Sequence, residues 1–213
     1  MVLAPASRSA EPASSGSRWA VAPELHVLWI DTGTRATIFE AMAEEAGEIF
    51  GGMGVSLSVH RAPPRTPPVP GQLRITSLDR VHEGRPVLAG VTSPWRADGI
   101  SYIWVFSPEV AHLAANSWSS LSTLEREHKQ GRLLGRIVAH ELVHALLPEL
   151  PHARQGLMAA KLRPLLTQPV SVDEATRAAV YKAALAVAQA EEDALDTERR
   201  TAPELVPALL VPP

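Results

Sequence analysis

The stretch Arg132–Leu147 constrains this chain more than any other. Ile137, Val138, Leu142, Val143, Ala145 and Leu146 leave a helix drawn through it with almost no polar side. Such a helix belongs inside a domain, with other elements packed around it. Pro148 and Pro151 end it, because proline cannot continue the hydrogen-bond ladder. Yet the same stretch carries His140, Glu141 and His144. Burying these groups without partners would be costly, so their partners are the first question the sequence poses.

Residues four apart on a helix share a face, so His140 and His144 can aim two imidazoles at one point. Zinc accepts such nitrogens at about 2.0–2.1 Å and prefers four ligands in a tetrahedron. Glu141, beside the first histidine, projects toward the position left for water and can take its proton. The chain has no cysteine, so any metal here must be held by His, Asp or Glu. A catalytic zinc takes three protein ligands, and His152 is the expected third. It follows Pro148-Glu149-Leu150-Pro151, a segment that turns the chain out of the helix and can bring a side chain back. Gly156 then allows a tight turn, and Met158 is expected to form an apolar floor under the site.

Three other readings compete with this one, the first a non-catalytic zinc- or peptide-binding module, against which Glu141 argues because a purely structural zinc has no use for a base. Glu174, at the start of a later helix, is an alternative third ligand, although its plain role is a first-turn charge suited to the helix dipole. The pair His140 and His144 would otherwise be core histidines with ordinary hydrogen bonds. His26, His60, His82, His112 and His128 show no ligand spacing and are expected to be surface or structural.

Around this helix the order of elements favours an α+β domain. Leu25–Ile30 reads as a strand ended by Asp31-Thr32-Gly33, and Thr37–Phe50 as a helix stopped by Gly51-Gly52. Val55–Val59 and Leu73–Thr76 read as further strands, separated by a loop from Pro63 to Pro70. Residues 79–99 are rich in Gly and Pro and read as an extended surface loop. Residues 100–106 form a strand, 108–115 a short helix, and 172–192 an Ala-rich C-terminal helix. The expected divisions are a disordered segment at 1–22, a catalytic domain at 24–192 and a loose Pro-rich tail at 201–213.

A net charge of −3 and the absence of a Lys/Arg block argue against nucleic acid and membrane surfaces as partners. No signal segment or membrane span is visible, so a cytoplasmic location is the default expectation. The expected partner is a peptide or protein substrate, met by a monomer.

Val138-Ala139-His140-Glu141-Leu142-Val143-His144-Ala145-Leu146-Leu147 resembles the active-site helix of metzincin-type zinc metallopeptidases. His152, Gly156 and Met158 resemble that clan's third ligand and Met-turn, and small bacterial metzincin-like proteins are the nearest likeness, over residues 24–192. The resemblance implies a mixed twisted sheet with an N-terminal helix, a buried active-site helix and a C-terminal helix. It also implies Zn2+ as cofactor and hydrolysis of peptide bonds by a metal-activated water. An edge strand at 100–106 would border the cleft and pair with an extended substrate. Leu147 stands where the family has glycine, His152 comes two residues later than the family's third histidine, and no Tyr closely follows Met158.

Overall fold

The computed structural model describes residues 22–31, 33–69, 72–78, 90–92, 101–160 and 170–201. The expected lead-in at 1–22 and tail at 201–213 lie almost entirely outside the described residues, as does most of the loop at 79–99.

Strand β1 (Glu24–Ile30) alternates as a half-buried strand should: Leu25, Val27 and Trp29 are fully buried, while Glu24 and His26 face solvent. Helix α1 (Ala36–Gly51) carries the chain back over the buried face to β2 (Ser56–Ala62), which pairs parallel to β1. Strand β3 (Leu73–Leu78) pairs parallel to the other side of β1, and β5 (Ser101–Phe106) pairs parallel to β3. The short β4 (Gly90–Thr92) lies antiparallel against β5, so the sheet is mixed, in the order β2-β1-β3-β5-β4.

Two expectations are corrected here. Residues 79–99 are not loop throughout, because Gly90–Thr92 forms a strand. Nor is 101–106 an edge: β3 runs along one side and β4 covers Ile103–Val105 on the other, so that part of its backbone is already paired and cannot accept a substrate strand. Its sequence agrees with that place, since a strand apolar on both faces suits the interior of a sheet.

After β5, helix α2 (Ser107–Ser117) begins with Pro108 in its first turn, where the missing N–H costs nothing. Helix α3 (Thr123–Leu146) begins nine residues before the expected start at Arg132. Its first turns are polar and exposed, so apolar patterning does not reveal them. A capping box does: the Glu125 N–H donates to Ser122 Oγ at 3.3 Å, and the Ser122 N–H donates to Glu125 Oε2 at 3.0 Å. The last helix, α4 (Glu174–Thr201), is capped by Asp173, whose Oδ1 accepts from the Thr176 N–H at 2.9 Å.

The core lies between the sheet and the helices, where Trp29, Ile75 and Ile103 meet Met42 and Phe50 of α1, Ile137 and Leu142 of α3, and Val180 of α4. α1 and α3 approach unusually closely. A Cβ on Gly131 would lie 2.5 Å from the Ile38 carbonyl oxygen, and one on Gly135 would lie 2.6 Å from that of Met42. Beside this seam the buried Glu45 accepts from Arg132 and, at 2.6 Å, from Arg136. The close fit and the ion pairs hold α3 in register, and α3 carries the site. Among the described residues no helix is long and apolar enough to cross a membrane.

Candidate metal centre

The C-terminal half of α3 buries both His140 and Glu141, each 8% exposed. His140 Nδ1 lies 2.8 Å from the carbonyl oxygen of Leu157. A carbonyl can only accept, so Nδ1 carries the hydrogen and Nε2 keeps its lone pair for another partner. This is the arrangement that fixes the tautomer and orientation of a metal-ligating histidine.

His144, one turn on, is half-buried, and its Nε2 lies 3.2 Å from Nε2 of His152. A tetrahedral zinc with bonds of about 2.0–2.1 Å sets its ligand atoms about 3.3 Å apart, so the two nitrogens already stand at the spacing an ion would impose. One ligand atom from each of the three histidines lies within 4.8 Å of the others. The rings of His140 and His152 are nearly parallel at 15°, and that of His144 crosses them at 73° and 68°. This group can hold a metal ion. Three imidazoles without a thiolate suit zinc, copper, iron or nickel.

The path to His152 explains how a late histidine reaches the site. Leu147 leaves the helix at φ −133°, a conformation open to any residue, so this turn needs no glycine. The Leu150 N–H then donates to Leu147 O at 3.0 Å, tightening the bend. Beyond His152, the Ala153 N–H donates to Met158 O at 2.7 Å and closes a short loop. Gly156 sits in that loop at φ +76°, and a Cβ there would lie 2.5 Å from Ser171 O. Glycine is required on both counts. Met158 is buried in the core, but it is the neighbouring Leu157 whose carbonyl touches His140.

The electrostatics favour neutral rings at His140 and His144. Burial lowers the pKa of His140, only partly offset by the bond to Leu157. Burial, then the charges His140 and His152 would carry, push His144 down to about 4. Neutral imidazole is the form that binds metal. Burial also raises the pKa of the Glu141 carboxyl, against the lowering effects of a hydrogen bond from Thr92 and the nearby His152. Thr92 Oγ1 lies 2.6 Å from Glu141 Oε2 and 2.9 Å from the backbone oxygen of the same residue.

Glu174 is exposed at the start of α4 and lies outside the three-histidine group. Of the other histidines, His26 and His60 stack at 5.9 Å on the exposed face of neighbouring strands, His112 Nε2 lies 2.9 Å from Asn116 Nδ2, and His128 is exposed. His82 lies outside the described residues. Sequence reasoning missed Leu157 and Thr92. Leu157 acts through its backbone, which has no residue signature. Thr92 was hidden in a Gly- and Pro-rich stretch, where the β-branched pair Val91-Thr92 was the only sign of a strand.

Comparison with protein-family models, with characterised proteins and with solved structures gave no match to this chain.

Proposed function

We propose that the protein is a metal-dependent peptidase of metzincin type, with zinc held by His140, His144 and His152 and Glu141 acting as general base. The observation that carries this reading is the 3.2 Å approach of His144 Nε2 to His152 Nε2, with His140 turned toward them by Leu157. A carboxylate next to the first ligand adds to it, because a purely structural zinc closes its shell with four ligands and has no use for a base.

Zinc, when bound there, would polarise the scissile carbonyl and lower the pKa of water to about 7. The rest falls to the chain. Leu157 holds the His140 ring in one orientation. Glu141 takes the proton of the attacking water on its carboxylate and passes it to the departing amine nitrogen. β4 is paired only with β5 among the described strands and contacts α3 beside Glu141, so an extended substrate would add to β4 rather than to β5.

Elemental analysis of the purified protein, followed by a broad peptide library with and without chelator, tests this reading. The expected result is chelator-sensitive cleavage by the zinc-loaded protein. Glu141→Gln should keep the metal and lose cleavage, and His144→Ala should lose both. A zinc-loaded protein that cleaves nothing would overturn the reading in favour of a metal- or peptide-binding module, and turnover retained by Glu141→Gln would remove the proposed base.

A further inference from the structure

We infer that β4 is the seat of the Glu141 carboxylate, with Thr92 as a positioning residue and Gly90 supplying the space. The kinetic part of this inference rests on the peptidase reading above; the structural part does not.

Gly90 and Thr92 are two apart on a strand and so face the same side of the sheet. That side meets α3 at Glu141. Thr92 Oγ1 reaches Glu141 Oε2 at 2.6 Å. A Cβ on Gly90 would stand 2.7 Å from Cγ, 2.8 Å from Oε1 and 2.9 Å from Cδ of the same side chain. One residue therefore bonds one carboxylate oxygen while the other lets the second oxygen come down onto bare backbone. A glutamate has three side-chain torsions, and holding it in one rotamer costs conformational entropy. A carboxylate fixed before substrate arrives has already met that cost, which is how orientation lowers a barrier.

A competing role for Thr92 is simply to tie β4 to α3. Its hydroxyl also reaches Glu141 O at 2.9 Å, and it has a single hydrogen to give. The shorter contact, to an oxygen that carries charge when ionised, is the stronger claimant. The two roles separate on whether the hydroxyl's contribution depends on the Glu141 side chain.

Thr92→Val, Thr92→Ser and Gly90→Ala provide the test in the full chain, with zinc content measured for each. With the best-cleaved library peptide, Thr92→Val should lower kcat about 10- to 100-fold with KM near wild type and zinc unchanged. Thr92→Ser should restore kcat, and Gly90→Ala should lower it with zinc retained. In the metal-free protein, the shift in urea midpoint caused by Thr92→Val should shrink when Glu141 is first replaced by Ala. A shift of equal size in both backgrounds, or a kcat that serine fails to restore, would overturn the inference. Should Thr92→Val fail to fold, Thr92→Ser and Gly90→Ala carry the kinetic arm, and full kcat in Gly90→Ala would then overturn it. If the wild type cleaves no peptide, the peptidase reading falls, and the urea comparison alone decides whether Thr92 holds the carboxylate.

Discussion

Gly131 brings α3 so near to α1 that a methyl group in place of its hydrogen would sit 2.5 Å from the carbonyl oxygen of Ile38 and 2.6 Å from Ala41 Cβ. Neither neighbour is the flexible end of a side chain. Gly131→Ala gains about 1 kcal/mol of helix propensity. Overpacking against backbone costs about 1–3 kcal/mol, and here the contact is tight enough for the cost to win. The variant should therefore unfold at lower urea than wild type; a midpoint at or above wild type would show that the helices can part cheaply.

Glu45 is buried between two arginines of α3, with Arg136 mostly covered and Arg132 about half exposed at 47%. Glu45→Ala takes this carboxylate away from both guanidinium groups, while Arg132 keeps Glu48 at 3.9 Å and its contact with water. A hydrogen bond to a charged group is worth about 1.5–3 kcal/mol, so a loss of about 2 kcal/mol is expected. Pairing the change with Arg136→Ala in a double-mutant cycle should show coupling that 0.5 M salt weakens only slightly, since buried pairs are little screened (about 0.5 M being several times physiological ionic strength). Strict additivity would mean the pair contributes nothing.

Among candidate third ligands, His152 and Glu174 make opposite predictions for metal binding. Removing an outer-shell partner typically costs about 10- to 100-fold in metal affinity, and loss of a ligand itself should cost more. His152→Ala is therefore expected to weaken zinc binding beyond that range, while Glu174→Ala leaves it unchanged. Competition with a chelator of known affinity measures both. The reverse ranking would reassign the third ligand.

Asp31 closes the turn after β1, accepting from the Gly33 N–H at 3.1 Å, the Thr34 N–H at 2.8 Å and Arg61 at 2.5 Å. Burial raises the pKa of its carboxyl, but these donors outweigh that, and the folded value lies below the ordinary 3.8. A carboxylate depressed by folding contributes stability that is present above its unfolded pKa and is lost as pH falls through the folded one. Asp31→Asn should accordingly lower the urea midpoint near neutrality, and its gap from wild type should narrow below about pH 4. A gap that stays constant down to about pH 2 would show that the charge is not what matters.

Much of this arrangement could be read directly from residue types. Leu25, Val27 and Trp29 alternate as a strand must, and they are buried as that pattern requires. His140 and His144 declare a shared face by their spacing, and His152 joins them across a bend marked by two prolines. What stayed hidden depended on pairing between distant segments. The two apolar faces of 101–106 suit the interior of a sheet, but nothing local says which segment will lie beside it, and three residues around Val91 are too few to show a period. The polar start of α3 escaped a search for apolar periodicity, although the Ser122–Glu125 box announced it. That Gly131 and Gly135 are points of close approach becomes visible only when α1 is laid against them.

The Leu157 N–H donates to Ser171 O at 2.9 Å, and Gly156 packs against that same carbonyl. The strut that aims His140 is thus braced by the strand of chain entering α4, far from α3 in sequence. A protein shortened to end at residue 169 would retain all three imidazoles and the glutamate, yet its first imidazole would lose the brace behind it.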